Sequence, residues 1–335
     1  MPEVTVAIPV RDGGELLREV LRALSAQTVA HELIVCDSGS RDGSVAIARE
    51  HGARLLEIPP HEFSHGATRN LLVSESTGAY VALLTQDAAP ASELWLERLL
   101  DGLALAADAG LAYGPYAPRS GAAAPVRLEL ERWFGSLSPD GAPRVDRLAP
   151  SERALPAVEL LGRRGFFTDV NACISREAWL AAPFRAVPYA EDRVLAIDML
   201  RAGFAKVFVP GAAVTHSHDY GTLAQFRRSF DEGRAVREVY GWREPLGPRR
   251  LLGQLRGELG YARDRLAASG TRPGARAATL AAVGRHHLAR LAGAILGSRA
   301  DRLPARARRL FSLERRGSFL PCRLDPVPTP DPPRR

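Results

Sequence analysis

Lysine, cysteine and long apolar runs are nearly absent from this chain of 335 residues, and the last two of these absences argue against particular classes of protein. Lys206 is the only lysine, so arginine supplies nearly all of the positive charge behind the net value of +7. Cys36, Cys173 and Cys322 are too far apart in sequence for a metal-ligand motif or a disulfide framework, which indicates a reducing compartment. No run of about 18 apolar residues occurs, so we expect no transmembrane helix. The chain enters its first strand without an apolar leader, and we therefore expect no signal peptide and a cytoplasmic location.

The motifs of two common nucleotide-binding classes are missing as well. Only Gly13 and Gly14 follow the first predicted strand, so the G-x-G-x-x-G sequence of dinucleotide-binding enzymes is absent, and no P-loop sequence occurs. These absences disfavour a dinucleotide-dependent dehydrogenase and a P-loop nucleotidase. The positive charge would suit a nucleic acid, but no recognition motif accompanies it, so we expect no nucleic-acid partner.

What is present is an alternation of short apolar runs with helical patterns over the first third of the chain. The clearest run is Tyr80–Leu84, which ends abruptly at Thr85, Gln86 and Asp87. Buried strands that alternate with helices of about 10 to 15 residues are typical of right-handed β-α-β units and a parallel sheet. The pattern predicts an α/β fold with a mostly parallel sheet flanked by helices.

Changes in composition predict how the chain is organised. Residues 1–220 carry the alternating pattern, and within them residues 118–165 are irregular and are expected to form an insertion or lid. Residues 221–320 hold long amphipathic, arginine-rich segments, which predict a basic helical extension. Such helices either lie on an anionic membrane surface or pack on the main domain with a solvated outer face. Residues 321–335 are rich in proline and are expected to be disordered.

Polar side chains follow several predicted strands at the point where each strand ends. Pro9 and Arg11 come at the end of the first strand, Asp37 ends the second, and Asp87 follows the fourth. The carboxyl ends of parallel strands meet at one edge of a sheet, where open α/β folds bind their ligands. With the dinucleotide and P-loop classes disfavoured, the remaining common ligand is a nucleotide held by carboxylates, arginine and a divalent metal.

Five segments stand out along the chain for their polar residues and their order. They are Val6-Ala-Ile-Pro-Val-Arg11, Cys36-Asp-Ser-Gly-Ser-Arg-Asp-Gly-Ser44, His65-Gly-Ala-Thr-Arg-Asn70, Leu83-Leu-Thr-Gln-Asp-Ala88 and Ala190-Glu-Asp192. Together they resemble the motifs of family 2 glycosyltransferases, in the branch of rhamnosyltransferases. The likeness covers roughly residues 4–220, and five motifs at matching spacing form a specific signal. It implies a GT-A type nucleotide-sugar-binding fold, with the catalytic domain in residues 1–220.

The resemblance implies a set of residues that bind the sugar-nucleotide donor. Asp37 would accept a hydrogen bond from the ring N–H of the base. Pro9 and Arg11 would shape the pocket for base and ribose. Arg69 would pair with the base or the diphosphate, for which its cationic fork is suited.

The same resemblance implies a divalent metal, Mg²⁺ or Mn²⁺, at Asp87. This residue matches the last acid of the family's Asp-x-Asp motif, but Thr85 stands where the first acid is usual, so the metal rests on fewer carboxylates. His216 and His218 form a His-x-His segment, and one of them, with His216 slightly favoured, resembles the family's late metal-ligand histidine. The alternative is a hydrogen-bonded histidine that orders the loop over the site.

Asp192 matches the catalytic base of the family, which takes the proton of the acceptor hydroxyl as that hydroxyl attacks the anomeric carbon. A simpler alternative is that Glu191 and Asp192 only enrich the first turn of a helix in acids. Glu191, Asp169 and Asn171 are candidates for contact with the acceptor or for support of the base. For Asp169 and Asn171, a structural polar turn is an equally good interpretation.

The resulting hypothesis is an inverting glycosyltransferase that moves L-rhamnose from dTDP-L-rhamnose to a hydroxyl of a glycan or lipid-linked glycan in the synthesis of a bacterial surface polysaccharide such as O-antigen. One alternative is the same chemistry with a UDP- or GDP-sugar. Another is a noncatalytic sugar-nucleotide-binding scaffold. Lipid-linked acceptors would place the protein at the inner face of the cell membrane, with the C-terminal helices as the contact.

Overall fold

The computed structural model describes residues 3–162, 164–322 and 324, and these form two compact units. Among the described residues, the first unit comprises residues 3–117 and 134–216, and the second comprises residues 118–133 and 217–324. The prediction of a main domain over residues 1–220 followed by a helical extension differs from this division in two respects. The boundary falls between residues 216 and 217. Part of the predicted insertion, residues 118–133, is grouped with the C-terminal helices.

The order of elements follows the alternation predicted from sequence over the first unit and the helical pattern over the second. The strands are β1 (Val4–Val10), β2 (His31–Asp37), β3 (Arg54–Glu57), β4 (Tyr80–Leu84), β5 (Ala89–Pro90), β6 (Ala109–Tyr113), β7 (Tyr116–Ala117), β8 (Arg144–Asp146), β9 (Asn171–Ser175), β10 (Ala205–Phe208) and β11 (Val214–Thr215). The α-helices are α1 (Gly14–Ser25), α2 (Ser44–Glu50), α3 (His65–Glu75), α4 (Trp95–Ala104), α5 (Ala124–Leu137), α6 (Arg176–Ala181), α7 (Glu191–Ala202), α8 (Thr222–Tyr240), α9 (Pro248–Ala268), α10 (Pro273–Gly297) and α11 (Ala305–Phe311). Short 3-10 helices lie at Pro150–Glu152, Ala157–Leu160 and Ala300–Arg302.

The main sheet of the first unit has eight strands in the order β3-β2-β1-β4-β9-β6-β10-β8. Strands β1, β2, β3, β4, β6 and β10 run in one direction, whereas β8 and β9 run in the opposite one. The predicted α/β class with a mostly parallel sheet flanked by helices is therefore confirmed.

Strand β9 explains how distant segments reach the same edge of the sheet. It lies antiparallel between β4 and β6, with Leu84 at the end of β4 paired to Asn171 at the start of β9. An antiparallel strand begins where its neighbours end. The residues just before β9, including Asp169, therefore lie at the edge where the parallel strands end.

The core of the first unit packs helices against this sheet. Helix α1 turns one face inward, because Leu17, Val20, Leu21 and Leu24 recur at helical spacing and are all buried. Strands β1 and β4 are buried almost throughout, as expected for strands covered on both faces. Helix α3 begins at an N-cap in which Ser64 accepts a hydrogen bond from the amide of Ala67, so its first turn has a defined start.

A second, three-stranded sheet in the order β5-β11-β7 lies in the same unit. Its strands have two residues each, which leaves no periodicity for a sequence pattern to detect. Thr215 pairs with Ala89 in antiparallel register and with Ala117 in parallel register. This register brings the residue after β11, His216, towards the chain that follows β4.

The second unit is helical, and its helices α8 and α10 approach closely at glycines. A Cβ atom on Gly297 of α10 would lie 2.1 Å from the carbonyl oxygen of Phe230 in α8, and one on Gly293 would lie 2.3 Å from the carbonyl oxygen of Phe226. Only glycine allows the two backbones to pack at this distance. In the part of the chain that the structure describes, no helix combines the length and the apolar character needed to cross a bilayer.

The segment predicted to be irregular contains regular elements. Residues 118–165, predicted to be irregular, contain helix α5 and strand β8, and the latter pairs with β10 as an edge strand of the main sheet. The proline, glycine and alanine content that suggested a lid belongs largely to the connections around these elements. The predicted disordered tail lies outside the described residues, apart from residues 321, 322 and 324.

Candidate active site

The first corner of the site joins the ends of β1 and β4 through hydrogen bonds between a side chain and the main chain. The side chain of Gln86 accepts a hydrogen bond from the amide of Arg11 at 2.7 Å and donates one to its carbonyl oxygen at 3.0 Å. No role for Gln86 was predicted from sequence. The structure shows that this residue fixes the backbone beside Pro9 and Arg11, and that the Arg11 side chain is exposed.

Asp37, at the end of β2, is buried and bonded to its own loop. One carboxylate oxygen accepts hydrogen bonds from the amides of Gly39 at 2.9 Å and Ser40 at 3.0 Å, and the other contacts the Ser40 hydroxyl. The side chain is 4% exposed. The predicted contact with a nucleotide base stays a prediction, since the carboxylate has local partners in this structure.

The second corner contains Asp87, Thr85 and His216. The Thr85 hydroxyl donates a hydrogen bond to Oδ1 of Asp87 at 2.8 Å. Nδ1 of His216 lies 3.5 Å from the same carboxylate oxygen and 3.4 Å from the Asp87 carbonyl oxygen. The expectation that a histidine of the His-x-His segment lies beside Asp87 is therefore met by His216, which is buried.

A divalent cation fits the donor atoms of this corner. Neighbouring ligands around an octahedral ion with bonds of ~2.1 Å are separated by ~3 Å, close to the 3.5 Å between the His216 nitrogen and the Asp87 oxygen. Thr85 orients the carboxylate without adding a charge. His218 follows two residues after His216, is exposed, and belongs to the second unit, where its ring stacks on Tyr220 with centroids 5.5 Å apart.

The third corner is a buried cluster of acids around one guanidinium. Arg69 of α3 lies with Nε 2.6 Å from one oxygen of Asp169 and Nη2 2.9 Å from the other, which is a two-point contact. Its Nη1 is 3.3 Å from Glu191. Arg69, Asp169 and Glu191 are 2%, 4% and 6% exposed, so their charges are largely withdrawn from water.

These contacts change the interpretation of Arg69. The resemblance predicts that Arg69 pairs with the donor base or diphosphate, whereas its guanidinium is committed to two carboxylates of the protein. The physical reason is burial, since a guanidinium removed from water needs anionic partners and finds them in Asp169 and Glu191.

Asp192 follows Glu191 at the start of α7 and is half-buried. Burial and, after it, the nearby charge of Asp169 raise the pKa of Asp192 to about 7, although Arg193 acts in the opposite direction. Burial likewise raises the pKa of Asp169 to about 7, against the effect of Arg69, and burial raises the pKa of Glu191. A carboxyl group with a pKa near neutrality can accept a proton at physiological pH and hold it, as a general base must.

The backbone at this point is unusual. Ala190, the residue before Glu191, has φ of 61°, in the left-handed region that non-glycine residues seldom adopt. Such a conformation costs about 1–2 kcal/mol and persists only where the surroundings impose it. It turns the chain so that Glu191 and Asp192 both enter the first turn of α7.

Tyr116 and Thr168 are members of the site that sequence reasoning missed. The Tyr116 hydroxyl contacts that of Thr168, next to Asp169, and its ring lies edge-on to His216 with centroids 5.1 Å apart. Burial, with the charges of Asp192 and Asp169, raises the pKa of Tyr116, so its phenol stays protonated. Tyr116 therefore links the acid cluster to the corner of Asp87, and no motif marks it in the sequence.

Two further residues lie differently from what the sequence suggested. Asn171 is fully buried: it accepts a hydrogen bond from Trp95 at 2.8 Å and donates to the carbonyl oxygens of Pro115 and Ala212. These hydrogen bonds tie β9 to its neighbours and favour the structural interpretation of Asn171, whereas its contact with a sugar stays a prediction. His65, to which no role was assigned from sequence, lies with Nδ1 3.8 Å from Glu191, at the border of the acid cluster.

Comparison with known proteins identifies the class to which this site belongs. Residues 5–144 match the family described as Glycosyl transferase family 2. The O-antigen chain rhamnosyltransferase RfbN of Salmonella typhimurium is 29% identical over 238 residues, which span 69% of this chain and 71% of that protein. The O-antigen chain rhamnosyltransferase WbaN of Salmonella anatum is 29% identical over 242 residues, or 70% and 72% of the two chains.

A solved structure has the same fold. The mannosyltransferase PcManGT from Pyrobaculum calidifontis, in complex with GDP-Man and Mn2+, is 19% identical and superposes with a TM-score of 0.56 over 90% of this chain and 86% of its own. The expected GT-A type fold is confirmed. The chain carries a family 2 glycosyltransferase domain and is a glycosyltransferase. The relatives that it resembles over more than two thirds of its length include two O-antigen chain rhamnosyltransferases.

The raised pKa of Asp192 leads to a prediction about stability. A carboxyl whose folded pKa lies above its unfolded value stabilises the fold fully at low pH, and that contribution is lost as pH rises from about 4 through about 7. Replacing Asp192 by Asn removes the charge that the fold disfavours. We expect Asp192→Asn to be more stable than the parent at pH 8, by on the order of 1–3 kcal/mol, and this gain should shrink to a small fraction of that value at pH 4. Urea unfolding at the two pH values measures the difference.

Asp108→Asn is the matched control. Asp108 forms a two-point pair with Arg147 at the surface, and hydrogen bonds from that guanidinium hold its pKa below the ordinary value. Its replacement should give no gain at pH 8. Equal effects of Asp192→Asn at both pH values would contradict the electrostatic account.

Proposed function

We propose that the protein is an inverting rhamnosyltransferase that moves L-rhamnose from dTDP-L-rhamnose to a hydroxyl of a glycan or lipid-linked glycan acceptor during synthesis of a bacterial surface polysaccharide such as O-antigen. The observation that carries the proposal is Asp192, a half-buried carboxyl with a pKa of about 7 in the motif position of the family's base. The likeness to two O-antigen rhamnosyltransferases supports the choice of sugar.

In this proposal Asp192 supplies the base of a single displacement. The acceptor hydroxyl attacks the anomeric carbon, its proton passes to Asp192, and the bond to the donor diphosphate breaks with the electron pair staying on the diphosphate. Because attack and departure occur on opposite faces, the configuration at the anomeric carbon inverts. One general base suffices, and no covalent sugar–enzyme intermediate is needed.

The donor would lie along the edge where β1, β2 and β4 end. Asp37 would accept from the nucleotide base after releasing part of its local hydrogen bonding, and Pro9 and Arg11 would line the pocket of base and ribose. The exposed Arg11 side chain is free of the acid cluster, unlike Arg69. Gln86 holds the Arg11 backbone in place for this contact.

The proposed metal is Mg²⁺ or Mn²⁺, held by Asp87 and His216, the histidine that the sequence slightly favours over His218. When bound, the ion would neutralise the charge of the leaving diphosphate. Asp87 offers its carboxylate oxygen and Thr85 keeps that carboxylate oriented. An imidazole ligand favours Mn²⁺ over Mg²⁺, because Mg²⁺ binds oxygen ligands almost exclusively. The mannosyltransferase of the same fold, solved with GDP-Man and Mn2+, supports both the ion and the class of donor.

Two other functions remain as outcomes of the tests. The same chemistry could use a UDP- or GDP-sugar, which the site residues described here do not distinguish from a dTDP-sugar. A noncatalytic scaffold that only binds sugar nucleotides is disfavoured. It would not need both Asp87 and a carboxyl group with a pKa near neutrality such as that of Asp192.

We also propose that the second unit contacts an anionic membrane surface, which would place the protein at the cytoplasmic face of the cell membrane. Leu252 of α9 is 46% exposed, and Arg249 and Arg256 lie three residues before and four after it on the same helix face. An exposed leucine flanked by arginines is typical of helices that lie on acidic lipid. A lipid-linked acceptor would be met at that surface.

Replacement of Asp192 by Asn tests the chemistry. Asn keeps the shape of the side chain but cannot take a proton, so transfer should fall by about 10²–10⁴-fold while donor binding is retained. Transfer from dTDP-L-rhamnose to an isolated lipid-linked acceptor, followed by chromatography of the product, measures the rate. Asp198→Asn, on the same helix, is the control and should keep measurable turnover. Wild-type turnover in Asp192→Asn would overturn the mechanism.

Thermal shift measurements test the donor and the metal together. We expect dTDP-L-rhamnose to raise the melting temperature only when Mn²⁺ or Mg²⁺ is present, with Mn²⁺ giving the larger increase, and UDP- and GDP-sugars to have less effect. Asp87→Ala and His216→Ala should remove the metal-dependent part, whereas the exposed Asp101→Ala should not. A larger shift with a UDP- or GDP-sugar would reassign the donor, and a shift independent of metal would rule out the metal site.

Sedimentation with lipid vesicles tests the membrane contact. The protein should pellet with vesicles of phosphatidylglycerol and phosphatidylcholine and remain in solution with phosphatidylcholine alone. Leu252→Ser combined with Arg249→Gln and Arg256→Gln should weaken binding several-fold. Leu16→Ser is the control, since Leu16 is 44% exposed but lies on α1 of the other unit. Equal pelleting of all variants would count against α9 as the contact.

A further inference from the structure

The acid cluster contains more structure than a single base requires. Three carboxyl groups, those of Asp169, Glu191 and Asp192, lie near one guanidinium, that of Arg69. Arg69 comes from α3, Asp169 from the segment before β9, and the other two from α7. Four residues from three separate elements thus meet at one place, and only Asp192 has a role in the reaction proposed above.

We propose that Arg69 and Asp169 are positioning residues, which fix the first turn of α7 and set how readily Asp192 takes up a proton. The proposal rests on Asp192 being the base of the proposed transfer. It replaces the expected contact of Arg69 with the donor, because the Arg69 fork is held by Asp169 at 2.6 and 2.9 Å.

The contacts of Arg69 and Asp169 restrain the start of α7, the helix that carries Asp192. Arg69 also reaches Glu191 at 3.3 Å and donates a hydrogen bond to the carbonyl oxygen of His65 at 3.1 Å. Glu191 is the first residue of α7 and directly precedes Asp192. The left-handed backbone of Ala190 needs such a restraint, because its strain would otherwise relax by shifting this turn.

The charges of the two positioning residues act on Asp192 in opposite directions. The charge of Asp169 raises the pKa of Asp192, and that of Arg69 lowers it. Other ionisable groups also face the cluster, and they set the background against which the pair acts. They are Glu191 and Arg193 of α7, His65 of α3 and Tyr116 of β7.

Replacing the two residues should therefore shift the titration midpoint of Asp192 in opposite directions. A purely structural role of Arg69 and Asp169 would not give opposite shifts. Arg69→Gln removes the positive charge, so the titration midpoint of Asp192 should rise by about 1 pH unit. Asp169→Asn removes the neighbouring negative charge and keeps the size of the side chain, so the midpoint should fall by about 1 pH unit. In the parent protein, Asp169 and Asp192 should titrate in two coupled steps.

Carbon-13 NMR of protein labelled at the aspartate carboxyl carbons measures these midpoints on the full chain without any turnover. The resonance of Asp192 is identified by its loss in Asp192→Asn. Asp198→Asn is the matched control, because Asp198 is a buried acid of the same helix in a two-point pair with Arg185 at 2.6 and 2.9 Å. That variant should leave the midpoint of Asp192 unchanged. Arg69→Lys, which keeps the charge but not the fork, should give a midpoint between those of the parent and Arg69→Gln.

The outcomes separate this inference from the proposed function. An unchanged or raised midpoint in Asp169→Asn would overturn the inference, even if Arg69→Gln did not fold. An unchanged midpoint in Arg69→Gln, together with loss of the thermal shift caused by dTDP-L-rhamnose, would make Arg69 a donor contact and would also overturn it. Opposite shifts in a protein that transfers no sugar would support the positioning pair and refute the proposed function instead.

Discussion

The constraint on which the site depends is the burial of several carboxyl groups around a single guanidinium. Asp169, Glu191 and Asp192 cannot all carry full charge in a region largely withdrawn from water, and Arg69 offsets one charge only. The fold therefore holds protons on this cluster near neutral pH. A group that gives up and regains a proton at physiological pH is what a transfer to a hydroxyl requires. The same arrangement lowers stability, so function and stability oppose each other at Asp192.

The fold brings these residues together by two departures from a simple parallel sheet. Strand β9 enters in the opposite direction, which places Asp169 at the edge where β4 ends. The small sheet β5-β11-β7 then folds back so that His216 meets Asp87. Tyr116 connects these two parts of the site, because its ring lies beside His216 and its hydroxyl contacts Thr168, next to Asp169. The positions of the site residues are thus set by the antiparallel direction of β9 and by the pairing of the two-residue strand β11, more than by loops.

Sequence predicted the parts of this site that local patterns encode, and it missed the parts that depend on pairing. The strand end before Asp87 and the helix that starts at Glu191 were both predicted, because apolar runs and their breaks mark them. The proximity of His216 to Asp87 was also predicted, from the resemblance and the missing acid at Thr85. The partners of Arg69 could not be, since they lie 100 and 122 residues away and depend on the direction of β9. A structural role for Asn171 was one of two interpretations, but its partners Trp95, Pro115 and Ala212 could not be predicted for the same reason.

The central position of β9 has a consequence for the order in which the chain can fold during synthesis. Strand β9 is the only link in the main sheet between the group β3-β2-β1-β4 and the group β6-β10-β8, among the residues that the structure describes. A nascent chain that has not yet reached residue 171 has made β4 and β6 but leaves both with unpaired edges, which are prone to aggregate. The strand ends proposed to bind the donor are thus synthesised early, in part of a sheet whose open edge is covered only when β9 has been made, shortly before the helix that carries the proposed base.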